Sequence, residues 1–451
     1  MTQSPLDMGE PTNQPYVERR RLLLESLPSG TVVLVRGASL VTRSNDTEYP
    51  FRQHSDFYYL TGIHEPDATL LMVKPAKPGA RTRSYLFVLP RDAEQEIWHG
   101  RRLGTEQASA ISGISHVYDN SESHRRILQA LGQQPNVCWP LQVSIEEQHL
   151  RHRWLAKLAE SRQLQAPRQF LDLNSYVHEQ RLIKSPFEIE IMRKSARIAV
   201  DAHRRALQSC KPGMMEYQLA AELHHEFAMQ GAAGPAYGTI CGSGENACIL
   251  HYTENSSVMA DGQLVLIDAG CEYLGYASDI TRTFPVNGRF TPMQRRLYNW
   301  VLEAHQAAIA HIKPGNTLPQ AYKIAVKILT TGLIDLGVLQ GSVEANMQNS
   351  SYRPYFMHGL GHWLGLDVHD VGDYKQNGEP RALRAGMVLT IEPGLYIPSD
   401  TDCDPQLQGL GVRIEDDILV TETGHQNLTQ GVPVTADDIE ALMQSVRQVG
   451  I

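Results

Sequence analysis

The sequence predicts a two-domain α/β (α+β) protein, with an N-terminal domain over residues 1–178 and a larger C-terminal domain over 179–451. Three observations lead there. A chain of 451 residues is too long for one ordinary core. Short apolar, β-branched runs alternate with segments of helical spacing. One scheme, helix then Lys-Pro-Gly then helix then apolar strand, occurs twice in the last two thirds of the chain.

The first twenty residues, MTQSPLDMGEPTNQPYVERR, lack the charged-then-apolar pattern of a secretory signal and read as a short disordered arm. Arg19, Arg20 and Arg21 read as a solvated helix face. TVVLVRG (Thr31 to Gly37), TLLMVKP (Thr69 to Pro75) and SYLFVLP (Ser84 to Pro90) are strand-like runs ended by Gly or Pro. Ser144 to Leu164 is charged, with apolar residues at helical spacing, so this third reads as a small α/β domain. GSGEN, from Gly242, lacks the third glycine of a dinucleotide loop.

A boundary falls around residues 165–180. Ser185, Pro186 and Glu188 then supply a capping serine, a proline at the first helical position and an acid in the first turn. The helix they start runs to Lys211-Pro212-Gly213. HQAAIAHIKPGNTLPQAYKIAVKIL repeats the scheme of HRRALQSCKPGMMEYQLAAELHHEF, and RAGMVLTIEPG repeats ADGQLVLIDAG. That register aligns Asp268 with Glu392, and each copy offers a further acid, Asp279 and Glu415. The expectation is a duplicated α/β unit with a site on its pseudo-twofold axis.

Composition narrows the function classes. A net charge of −9 argues against a nucleic-acid partner, which needs a basic face. No apolar run approaches the ~20 residues that span a bilayer, so no membrane partner is expected. The six cysteines (Cys138, Cys210, Cys241, Cys248, Cys271, Cys403) form no close pair, which argues against structural zinc and suggests free thiols in a reducing cytoplasm. Cys271 reads as an inert buried thiol rather than a soft ligand.

Four carboxylates at the ends of apolar strands are costly to bury without compensating positive charge. Two divalent ions would neutralise them, and carboxylates can bridge ions held about 3.5–4 Å apart for two-metal hydrolysis. Hard oxygen donors suit manganese, cobalt or zinc more than copper. Gly270 and Gly275, between Asp268 and Asp279, suit a tight connection that points both acids at one spot. In MHGLGHWLGLDVHD, His358 and His362 share a helical spacing, but Gly359, Gly361 and Gly365 favour an extended or irregular segment. Some of these histidines are candidate ligands; others are placed to hydrogen-bond a polarised carbonyl or its oxyanion.

These motifs resemble the pita-bread metallopeptidases, and most closely the aminopeptidase P (Xaa-Pro aminopeptidase) family. HGLGHWLGLDVHD looks like the proline-peptidase signature, DAGCEYLGYASDITRTFPVNG and IEPGLYI like its flanking motifs, and ILHYTEN like the segment of another active-site histidine. The similarity spans Arg181 to the C-terminus and extends more weakly through SNDTEYPFRQHSDFYYLTG and EIWHGRRLG.

The resemblance implies a creatinase-like N-terminal domain followed by a pita-bread catalytic domain with an internal pseudo-twofold repeat. It implies two divalent metal ions, manganese by expectation, held by Asp268, Asp279, His362, Glu392 and Glu415, with Asp279 and Glu415 bridging. It matches His251, His358 and His369 to catalytic histidines: His251 and His369 at the carbonyl and oxyanion, His358 shaping the proline pocket. Glu392 is the candidate proton shuttle for a metal-bridging hydroxide. Tyr396, Arg413, Asp46 and Trp98 are candidate substrate-binding residues, Arg413 and Asp46 at the substrate amino end. For Arg413 the alternative is an ordinary ion pair. For Trp98 it is a core or interface aromatic, the family using a tryptophan there to cap a neighbouring subunit's site.

The activity implied is release of the N-terminal residue from peptides with proline second, by a homo-oligomer (tetramer or dimer). Prolidase, the Xaa-Pro dipeptidase, is the alternative, but its signature usually has proline after the ligand histidine, where Trp363 stands. Methionine aminopeptidase lacks such an N-terminal domain. A metal-free creatine hydrolase or a non-catalytic binding module would have lost ligands, and all five are present.

Overall fold

The computed structural model of the chain describes residues 13–447. It divides into two compact units, one ending at Arg181 and one beginning at Leu182.

The first unit is built on a six-stranded mixed sheet in the order His116–Asp119, Arg83–Val88, Thr69–Lys74, Thr31–Arg36, Asn136–Trp139, Gln169–Asp172. Thr69–Lys74 runs antiparallel to both neighbours, and the other pairs are parallel. Thr31 to Val35 are all buried, as expected of a strand covered on both faces. Val32, Leu34, Leu71 and Phe87 pack against Ile127 and Leu131 of one helix and Trp154 and Leu158 of another.

Two expectations fail here. The supposed arm becomes helical from Gln14, in a helix that runs to Ser26; its first twelve residues lie outside the described ones. Nor do the three arginines form a solvated face. Arg20, 4% exposed, donates to Leu60 O at 2.6 Å and Ser112 O at 2.7 Å. These carbonyls lie at the ends of the helices Ser55–Thr61 and Gly104–Ser112, where orphan acceptors and the negative dipole end favour a cation. Arg19 donates to Tyr59 O and lies 4.0 Å from the centre of the Tyr59 ring. Only Arg21 is exposed, held between Glu18 and Glu25 of its own helix.

The second unit shows the duplication in its hydrogen bonds. The helices Pro186–Ser209 and Pro292–His311 each open with a capping box, Ser185 with Glu188 and Thr291 with Gln294. Each runs into Lys-Pro-Gly, where Gly213 and Gly315 both have φ of 88°, a conformation that favours glycine. Gly213 N–H donates to Met259 O and Met259 N–H to Met214 O. In the second copy Gly315 N–H donates to Leu383 O and Leu383 N–H to Asn316 O. Met259 and Leu383 stand equally far ahead of Asp268 and Glu392, so the predicted register is matched bond for bond. The second helices of each pair are Glu216–Met229 and Leu318–Asp335.

Each repeat adds a three-stranded antiparallel sheet: Ile240–Ser243, Leu264–Asp268 and Thr281–Pro285 in one, Val388–Ile391, Asp416–Val420 and His425–Asn427 in the other. The sheets meet through a β-bridge between Thr281 and Glu415, with Glu415 N–H donating to Thr281 O at 3.0 Å. The second acids of the two copies are not equivalent. Asp268 pairs with Thr281, and Ile391 with Asp416; one further step sets Glu392 opposite Glu415. Thr281 therefore holds in the first sheet the register position that Glu415 holds in the second, and Asp279 lies outside the correspondence.

Candidate metal centre

Asp268 ends the strand Leu264–Asp268. The chain then makes a hairpin, Cys271–Tyr273 with Tyr276–Ala277, turning at Leu274 and Gly275 with φ of 49° and 82°. It returns to place Asp279 beside Asp268. Gly270 makes this possible: a Cβ there would lie 1.6 Å from Ser278 O. Glu392 follows the strand Val388–Ile391, and Glu415 precedes Asp416–Val420. Asp279 and Glu415 are buried, Asp268 and Glu392 half-buried.

The histidine-rich run is irregular, as its glycines predict. Gly361 lets the strand Val388–Ile391 approach: a Cβ there would lie 1.9 Å from Thr390 O, and Thr390 N–H donates to His362 O. His362 Nε2 lies 3.5 Å from Asp279 Oδ2 and 3.7 Å from Glu392 Oε1. One ligand atom from each of Asp279, His362 and Glu415 falls within 4.8 Å of the others. His362 Nδ1 is 3.0 Å from Trp363 O, a pure acceptor, so Nδ1 carries hydrogen and Nε2 is the nitrogen turned to the acids.

His358 Nδ1 likewise faces Gly359 O at 2.8 Å, leaving Nε2 to accept from Tyr396 OH at 2.8 Å. Tyr396 OH in turn accepts from Arg413 Nη1 at 2.9 Å. Burial pushes His358 down to about 4, helped by the Arg413 charge, so its ring is neutral at pH 7. The His369 ring centre is 4.2 Å from that of His362. His251 acts electrostatically on both His358 and His369, which puts it in the same cluster. Arg413, 3% exposed, forms the ion pair that was one of the readings given for it, and its partner at 2.7 Å is Asp268 Oδ2.

The electrostatics are those of a site short of positive charge. Burial, then the neighbouring Asp268 carboxylate, raises Asp279; burial and Asp279 raise Glu415 well above the usual carboxylate range. Burial pushes Glu392 up to about 7. His362 goes the other way: against its burial, the hydrogen bond and charge of Asp279 lift it to about 9. Four acids and an imidazole nitrogen that would give up its proton on binding are a donor set that fits divalent cations.

Asp46 and Trp98 belong to the first unit. Asp46 is exposed in the turn between Thr42–Ser44 and Thr47–Glu48. Trp98, on the helix Ala93–His99, is 79% exposed and is not a core aromatic.

Three residues of the centre escape sequence reading. Tyr237 OH lies 2.6 Å from Asp268 Oδ1 and also touches Asp279 Oδ1; one phenol proton cannot serve both ionised acids. Thr281 Oγ1 donates to Glu415 Oε2 at 2.7 Å. Asp417 Oδ2 accepts from Asp279 N–H at 3.2 Å. Asp417 continues the acidic run after Glu415, which is a signal of sorts; Tyr237 and Thr281 have none.

A two-sheet duplicated scaffold with four acids and an imidazole at its axis defines a metal-dependent hydrolase of the pita-bread type. Residues 190–422 match the model of metallopeptidase family M24, and residues 16–139 match that of the aminopeptidase P N-terminal domain. The chain belongs to metallopeptidase family M24. It is 47% identical to the Xaa-Pro aminopeptidase of Escherichia coli K12, over 98% of this chain and 100% of that one. It is 42% identical to the Xaa-Pro aminopeptidase of Haemophilus influenzae, over 97% and 98%. Among solved structures it superposes on E. coli aminopeptidase P with the inhibitor Pro-Leu at a TM-score of 0.94, with 47% identity over 97% of this chain and 99% of that one. For proline aminopeptidase P II from Yersinia pestis the TM-score is 0.93, at 46% identity over 96% and 100%.

Proposed function

We infer that this chain is a Xaa-Pro aminopeptidase, a metal-dependent hydrolase that releases the N-terminal residue from peptides with proline second. The observation that carries this is the convergence of Asp279, His362 and Glu415 donor atoms within 4.8 Å, beside Asp268, Glu392 and three histidines, in a chain of family M24.

Asp268, Asp279, His362, Glu392 and Glu415 would hold two divalent ions, with manganese the metal proposed from the oxygen-rich donor set. When bound, the ions supply an activated water at neutral pH and polarise the scissile carbonyl. Glu392, beside that site, would hold a proton on its carboxylate and pass it to the leaving proline nitrogen. His251 and His369 donate hydrogen bonds to the carbonyl oxygen as it gains charge. His358 and Tyr396, locked by Arg413, form a rigid wall for the proline ring. Arg413 orients the substrate amino end through Asp268, and Asp46 is proposed to assist it. The exposed Ile97 and Trp98 support a homo-oligomer, tetramer or dimer, in which a second copy covers that helix.

Among the described residues no helix is long and apolar enough to cross a membrane. All six cysteines are free, which supports the cytoplasm as the compartment. The test is metal analysis of the purified protein with manganese-dependent hydrolysis of an Xaa-Pro-Yaa tripeptide and an Xaa-Pro dipeptide. Tripeptide cleavage with bound metal is expected. Absence of both removes the enzymatic reading, and faster dipeptide turnover reassigns the chain as a prolidase.

A further inference from the structure

His251 lies on a stretch with little structure of its own. A 3-10 turn, Gly244–Cys248, leads into an irregular segment on which His251 is exposed. Among the described residues the His251 ring makes no hydrogen bond. Its place must therefore be set by the backbone that carries it.

That backbone is anchored on Glu216, the first residue of the helix Glu216–Met229, whose side chain is buried with 0% exposure. Oε1 accepts from Ser243 N–H at 2.7 Å, Ser243 Oγ at 2.7 Å and Asn246 Nδ2 at 3.1 Å. Oε2 accepts from Tyr252 OH at 2.8 Å and Ser257 N–H at 2.9 Å. The Glu216 N–H donates to Ser257 O at 3.0 Å. One carboxylate thus ties together both ends and the middle of the segment 243–257. Burial alone would raise its pKa, and the donors from Ser243, Asn246 and Ser257 bring it below the usual value. Tyr252, next to His251, is buried in a cluster with Ile240, Ala247, Leu266 and Tyr396. The anchor of the loop is therefore packed against a candidate substrate residue.

We propose that Glu216 is the positioning residue for His251, holding the segment 243–257 so that the His251 ring stands at the scissile carbonyl. This rests on the reading of His251 given above. The chemistry requires a carboxylate. A glutamine has the same shape, but whichever way its amide is turned, its NH2 meets a backbone N–H, that of Ser243 or that of Ser257, with no acceptor between them. Glutamine thus frees one end of the loop while leaving the fold of the helix pair intact.

The test uses the manganese-loaded enzyme in four forms: wild type, E216Q, H251A and the double variant, with Y252F as a milder probe that removes one of the five donors. E216Q is expected to lower kcat about 100-fold, the effect of a displacement near 1 Å. Metal content should stay at the wild-type level, and hydrogen exchange should quicken within 243–257 only. In the H251A background E216Q should cost less than about threefold more, because the ring it positions is gone. If E216Q does not fold, Y252F carries the same comparison with a smaller loss. Equal losses in both backgrounds beside an H251A enzyme of reduced but measurable kcat, or unchanged exchange in 243–257, overturn the role of Glu216. An H251A enzyme with wild-type kcat overturns the reading of His251 and the role of Glu216 with it.

Discussion

Arg413 Nη2 lies 2.7 Å from Asp268 Oδ2, both side chains largely buried, so a permanent cation is tied to one of the acids proposed to hold metal. The same guanidinium reaches Thr281 Oγ1 at 3.2 Å and Tyr396 OH at 2.9 Å. It links the outer side of the acid cluster to the wall on which His358 rests.

Arg413→Lys keeps the charge and loses the fork, since one ammonium cannot serve three partners set by a planar group. The expected result is a fall in kcat of roughly 100-fold with metal content preserved. Steady-state kinetics beside metal analysis checks it; a lysine enzyme with wild-type kcat removes Arg413 from the mechanism.

Tyr237 shares its phenol between Asp268 and Asp279, and so orients two of the proposed ligands. Tyr237→Phe should weaken metal binding about 10- to 100-fold, the usual effect of losing an outer partner of a ligand. Manganese titration followed by calorimetry reads this directly. Unaltered affinity would show that the phenol orients neither acid.

Metal removal should change how stability depends on pH. Glu392 sits near 7 in the folded, metal-free protein against an ordinary 4.5. Below about 4.5 folded and unfolded chains both hold the proton. Above it the unfolded chain releases the proton first, so stability is lost as the pH rises through about 7. Asp279 and Glu415, also raised, act in the same direction. The gain in melting temperature on adding manganese should therefore be larger at pH 8 than at pH 5, as differential scanning fluorimetry would show. A gain that shrinks with rising pH contradicts the proposed ligand set.

His203 and His305 occupy matching positions in the two repeats, are fully buried, and are both pushed by burial to about 4. His203 faces Ala269 O at 2.9 Å; His305 lies 3.4 Å from Asp416 Oδ2, with the Arg282 charge opposing its protonation. Their contribution is whole above 6.5 and is lost as the pH falls through about 4. His305→Gln should flatten the acid side of the stability curve by up to about 3 kcal/mol between those limits. Urea unfolding at pH 4.5 and 7.5 measures it, and an unchanged difference between the two would exclude His305 as a source of acid lability.

Lys184 and Asp370 form an ion pair at 2.9 Å with both side chains 1% exposed. Breaking a buried pair from one side costs about 3–5 kcal/mol, so Lys184→Met should lower the urea midpoint strongly. Because Asp370 follows His369, the same variant should also lower kcat. A midpoint within error of wild type would rule out a stabilising pair.

Much of the second unit is legible along the chain itself. The repeated Lys-Pro-Gly and the aligned Asp268 and Glu392 are local features, and local features survive translation into structure: both glycines take the same φ and make matching bonds. The irregular course of the histidine-rich run followed from its glycines in the same way. Arg19 and Arg20 were misread because their partners, the carbonyls of Tyr59, Leu60 and Ser112, are remote in sequence and have no side-chain signature.

The sequence by itself determined the duplicated scaffold, the set of acids and histidines, and their resemblance to one peptidase family, because periodicity, capping and motif are written along the chain. Tertiary structure alone decided that Thr281 rather than Asp279 matches Glu415, that Tyr237 spans two acids, and that Glu216 gathers five donors around the loop of His251. These depend on strand register and on the convergence of backbone N–H groups, which every residue but proline possesses and no residue type announces.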